Sequence, residues 1–166
     1  MPTDFLSLLR RDHSDLQTEL TQLLDPTATV AELRCSLDGV RLGLIAHAEA
    51  EDIVLGRFEV FPELHVLIEQ ARAAHLAQEG ALSALVTARP GTPSWRDRAS
   101  HLRDLVYQHA RREEDELLPA LQQHAPHTDY DALAGAFATE RLRQLAMLQP
   151  SAPVFMPFVL AEAHAG

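Results

Sequence analysis

The sequence predicts an all-α chain, an up-down-up-down four-helix bundle with a short additional C-terminal helix. Three observations carry this reading. Leu and Ala dominate and β-branched runs are scarce, which is the composition of helix. Apolar residues recur every three or four positions along four long stretches, the period of an amphipathic helix. The connections between these stretches are a few residues long and rich in Pro, Gly, Thr and Asp. Such short connections make successive helices antiparallel neighbours.

The first helix runs from about Asp4 to Leu24 on the stripe Phe5, Leu6, Leu9, Leu16, Leu20, Leu23, and Asp25-Pro26-Thr27 stops it. Thr29 and Glu32 read as a capping box opening the second, which continues through Leu33, Leu37, Val40, Leu44 and Val54 to about Phe58. Pro62 suits the first turn of the third helix, whose stripe is Leu64, Ile68, Ala71, Leu82 and Val86. Residues 89–94, with two prolines and a glycine, form a loop. The fourth helix follows from about Ser94 through Leu102, Val106, Leu117 and Leu121, and Pro119 within it predicts a kink or an early end. A fifth helix is expected over Thr128 to Leu148. Residues 1–148 thus read as one domain. Residues 149–166 read as a Pro-containing tail, free to dock on its own bundle or on a second copy in a homodimer.

A formal net charge of -10 argues against nucleic acid and anionic membrane as partners. The single cysteine, Cys35, excludes an internal disulfide framework and a thiolate metal cluster. No apolar stretch approaches the roughly 20 residues of a membrane span, and the N-terminus lacks the pattern of a signal peptide. The expectation is a cytoplasmic protein.

Chemistry enters where the stripes are interrupted. Each of the four long helices carries a histidine amid its apolar residues: His13, His47, His75 and His109. Three add a glutamate four residues later: Glu51, Glu79 and Glu113. Residues four apart share a helical face, with Cβ atoms about 6 Å apart. An offset of 62 residues separates His13 from His75, His47 from His109 and Glu51 from Glu113, so two helix hairpins packed pseudo-symmetrically would bring these side chains to one depth. Carboxylates are disfavoured in a dry core unless paired or metal-bound, and no Lys or Arg occupies the same stripe positions. Cations supply the missing charge, and imidazole with carboxylate suits iron and manganese, with zinc as an alternative.

The donors outnumber what one tetrahedral ion takes, so a pair of ions is expected, with Glu51 and Glu113 placed to bridge. His13 and His47 are assigned to one ion, His75 and His109 to the other. Glu79 is either a further ligand or a hydrogen-bond acceptor beside one. Glu49, Asp52, Glu114 and Glu116 read as a solvated acidic face, with hydrogen bonding to the centre open to Asp52 and Glu114. His65, His101, His124, His127 and His164 read as surface residues, and Tyr107 and Trp95 as ordinary packing.

The ordered set Arg11-Asp12-His13, His47-Ala-Glu-Ala-Glu51, Ala74-His75-Leu76 and His109-Ala-Arg-Arg-Glu113-Glu114, followed by Leu117-Leu118-Pro119, resembles the hemerythrin-like, HHE cation-binding family over roughly residues 4 to 122. By that resemblance His13, His47, Glu51, His75, His109 and Glu113 are ligands of an oxo- or hydroxo-bridged di-iron site. Oxygen-carrying hemerythrins have a second histidine where this chain has Glu79, and an aspartate where it has Glu114. These departures point away from reversible oxygen carriage.

The resulting expectation is a non-haem di-iron protein that binds or responds to O2, peroxide, NO or iron in sensing or stress protection. An oxidoreductase turning over peroxide or O2 would share every ligand. A metal-free helical interaction module is the third alternative.

Overall fold

The computed structural model of the chain describes residues 4–149, and all their regular structure is helical. The tail and its docking lie outside the described residues. Four long helices form the bundle: α1 (Phe5–Gln22), α2 (Val30–Gly56), α3 (Pro62–Val86) and α4 (Pro93–Arg112). α2 packs beside α1 and α3, and α4 beside α3 and α1, which closes the up-down-up-down square. A π-helical turn (Glu113–Leu117) and α5 (Leu118–His124) continue the fourth arm. α6 (His127–Leu148) then returns to lie along α2 and α1. No helix among the described residues is long and apolar enough to cross a membrane.

Local chemistry sets the ends. The Asp4 carboxylate caps α1 by accepting from the Ser7 N–H at 3.0 Å. The expected capping box at Thr29 is present in both directions. Thr29→Ala is therefore expected to lower stability by about 1 kcal/mol in urea denaturation, and an unchanged midpoint would show the box to be idle. Pro62 and Pro93 open α3 and α4, where their missing N–H removes no helical bond. Gly91 turns the α3–α4 loop at φ +79°, a conformation that disfavours side chains. Trp95, 1% exposed, donates from Nε1 to the Leu23 carbonyl at 2.9 Å and ties the start of α4 to the end of α1.

The fourth arm departs from the expected kinked or shortened α-helix. Pro119 has no N–H, and in regular α-helix its ring would press on the Asp115 carbonyl. The backbone widens just before it, and the Leu118 N–H bonds to the Glu113 carbonyl five residues back. Such π turns appear mostly as single turns within helices, frequently at functional sites. This one starts at Glu113.

The core is in two blocks. One gathers Phe5, Leu9, Val54, Phe58, Leu64, Ile68, Leu117, Leu121 and Phe137. The other gathers Leu16, Leu20, Leu37, Leu44, Leu82, Leu85, Trp95, Leu102 and Val106. Between them, along each helix, sit the buried polar residues.

Candidate metal centre

α1 turns His13 inward between Leu9 and Leu16. α2 presents His47 and Glu51 between Leu44 and Val54, and α3 presents His75 between Ala71 and Leu82. His109 ends the inward face of α4, and Glu113 begins the π turn. All six are at most 6% exposed. One donor atom each from His13, His47, Glu51, His109 and Glu113 lies within 4.8 Å of the others. His75 joins them, with Nε2 3.1 Å from His109 Nε2 and 3.9 Å from Glu51 Oε2.

The rings fall into two close pairs. Centroids are 5.1 Å apart for His13 and His47 and 4.6 Å for His75 and His109. The carboxylates span the pairs. Glu51 Oε2 lies 3.3 Å from His47 Nε2 and 3.9 Å from His75 Nε2. Glu113 Oε2 lies 3.1 Å from His13 Nε2 and 3.3 Å from His109 Nε2.

Three of the four rings are held from behind. His47 Nδ1 meets Asp12 at 2.8 Å, His75 Nδ1 meets Asp52 at 2.9 Å, and His13 Nδ1 meets Glu114 at 3.0 Å. An Nδ1–H donated outward leaves the Nε2 lone pair facing the centre, the arrangement usual for histidine metal ligands. Arg141 of α6 clamps Asp12 at 2.7 Å, and Phe137 of the same helix packs its ring 5.8 Å from that of His47. Asp52 and Glu114 thus grip ligand-facing histidines and are not merely a solvated acidic face. They too are 62 residues apart, so each hairpin supports the other's first-helix histidine.

Asp12 and Arg141 were not legible as partners. Asp12 does lie three residues after Leu9 on the inward face, the one signal that marks it. Asp12→Ala is expected to weaken metal binding roughly tenfold to a hundredfold in competition with a chromophoric chelator. Equal affinity would dismiss the clamp as packing.

Glu79 is exposed and stands outside the cluster. In that turn Gln78 faces the interior, at 1% exposure. α3 is regular here, and seven residues from Ala71 to Gln78 nearly complete two turns, whereas eight residues to Glu79 overshoot. His65, His101 and His127 are exposed and His124 half-buried, while His164 lies outside the described residues.

The layer is electrostatically strained without a cation. Burial would lower His47, but Asp12 and Glu51 outweigh it and lift the imidazole to about 9. His109, buried and surrounded by His75, His47 and His13, is pushed down to about 3 although Glu51 favours its charged form. Burial and the charge of Glu51 hold the Glu113 carboxyl well above the usual range. Burial also opposes the charge on Glu51, yet Glu113, His47 and the other imidazoles keep it well below. His13 Nε2, His47 Nε2 and both oxygens of Glu51 and of Glu113 are buried without a hydrogen-bond partner. Buried orphans on this scale are rare unless another group takes them up. Inward imidazoles and bridging-distance carboxylates fit a bound transition-metal ion.

The family model described as hemerythrin HHE cation binding domain matches residues 4–121. Among curated proteins and among solved structures, nothing matches the chain. The matched region contains the four long helices and all six converging residues, and the chain belongs to the hemerythrin HHE cation-binding domain family.

Proposed function

We propose that this chain is a non-haem di-iron protein that binds an uncharged diatomic molecule or a peroxide, such as O2, NO or hydrogen peroxide, in sensing or stress protection. One observation carries the reading: two imidazole pairs, each with centroids about 5 Å apart, spanned by two carboxylates that each reach one ring of either pair. His13 and His47 would hold one ion, His75 and His109 the other, with Glu51 and Glu113 between them. Glu79, on the outside, has no part in it. When bound, an iron pair would supply one-electron redox steps and coordination positions open to a small ligand.

The chain's own residues do the rest. Asp12, Asp52 and Glu114 fix the tautomer and direction of three rings. The apolar blocks above and below exclude water, which strengthens each polar contact inside. His47 holds its proton to about 9 and must release it to bind a metal, so affinity is expected to fall as pH is lowered. Chelator competition across a pH series measures this, and a flat profile would contradict it.

The deciding experiment is anaerobic loading with ferrous iron, followed by metal analysis and absorption spectroscopy. Two irons per chain with ligand-to-metal charge-transfer absorption support the proposal. One zinc, or no metal, overturns it. Stoichiometric reaction with added peroxide fits a binding role, whereas sustained turnover overturns that role in favour of an oxidoreductase.

A further inference from the structure

The 62-residue offset lets each approach to the centre be compared with its own counterpart. On the α1–α4 side, Arg10 Nε closes over Glu114 at 3.1 Å, behind His13. The counterparts on the α2–α3 side are Arg72, Asp52 and His75. There Arg72 is drawn away to Glu59, and His75 is backed by Asp52 alone. A cleft of about 250 Å³ opens at this place, lined by Leu44, Ala48, Asp52, His75, Gln78 and Leu82.

Gln78 is the feature that needs an occupant. It is 1% exposed, and neither its Nε2 nor its Oε1 has a hydrogen-bond partner. Its counterpart 62 residues earlier is Leu16, part of the apolar block. A buried amide without partners costs stability that leucine would not. The amide lies three residues beyond His75, about 4.5 Å along the helix. A molecule of two heavy atoms beginning at the level of His75, with one hydrogen bond of about 2.9 Å added, covers that interval.

Leu44, Leu82 and Ala48 give the cleft apolar walls, where a single hydrogen bond is strengthened. Glu49, Asp52 and Glu79 at its lining outnumber Arg72, which disfavours anions and leaves neutral molecules free to enter.

We propose that the α2–α3 cleft is the pocket in which the centre receives its external ligand, an uncharged species of two heavy atoms held by a hydrogen bond from Gln78 Nε2. This rests on the metal reading above.

Nitric oxide titrated into the ferrous-loaded protein tests it, with affinity, association rate and the N–O stretching frequency as readouts. Gln78→Leu, which installs the residue found at the counterpart position, is expected to keep the iron content and not to lower the melting temperature of the metal-free protein. It should weaken nitric oxide binding about tenfold, the size of one lost hydrogen bond, and raise the stretching frequency. Ala48→Phe, which narrows the cleft, should slow association about tenfold or more without changing iron content.

Wild-type affinity and frequency in Gln78→Leu, or a wild-type rate in Ala48→Phe, overturns the pocket while leaving the di-iron reading intact. Should Gln78→Leu fail to fold, the rate in Ala48→Phe decides alone. A wild type that takes up no iron removes both readings.

Discussion

Glu51→Gln is expected to abolish stoichiometric iron loading. Glu51 is 0% exposed and approaches a ring of each imidazole pair, His47 at 3.3 Å and His75 at 3.9 Å. The substitution keeps the side chain's volume, so no cavity forms, but it removes the negative charge that the proposed pair of cations would need between them. Loss of an outer hydrogen-bond partner costs a metal site about 10–100-fold in affinity, and loss of a carboxylate shared by both halves should exceed that. Metal analysis after anaerobic loading and desalting is the measurement, with the melting curve of the metal-free variant reporting that it folds. A Glu51→Gln protein that retains two irons would sink the bridging role.

Stripping the metal should have an effect almost as large. Iron at about 1,000 times its dissociation constant would stabilise the folded state by about 4 kcal/mol. At about 2–4 °C per kcal/mol for a chain of this size, chelation is expected to lower the melting temperature by roughly 10 °C. The physical source is visible in the layer: four carboxylate oxygens and two imidazole nitrogens, all buried, lack hydrogen-bond partners. Differential scanning calorimetry of iron-loaded and chelated protein checks this. Superimposable traces would mean that the layer satisfies itself by proton sharing and needs no cation.

The bundle was legible because its stripes are long and its breaks are marked by prolines. Six of the seven residues singled out by stripe interruption converge, and the 62-residue offset reappears in space as two matched halves. The seventh exposes the limit of counting by fours. Four-residue steps gain on a regular helix, so the run Ala71, His75, Glu79 has left the inward face by its last member, and the structure places Gln78 there instead. The same drift along His109, Glu113, Leu117 and Leu121 is absorbed by the π turn, and there counting by fours succeeds. A run of three four-residue steps, the last of them crossing Pro119, is the signal that was available for that turn. No such signal exists for Arg141, which reaches Asp12 from 129 positions away. Pairing across that distance depends on how α6 docks.

The division of the core into two blocks also bears on how the protein comes apart. α1, α2 and α3 each pass through both blocks, and the fourth arm, whose α4 lines the block around Leu16, reaches the block around Phe5 only by way of its π turn. Neither block can be dismantled without pulling shared helices out of the other. The polar layer lies on rods clamped at both ends, and the described helices are accordingly expected to come apart in one cooperative step.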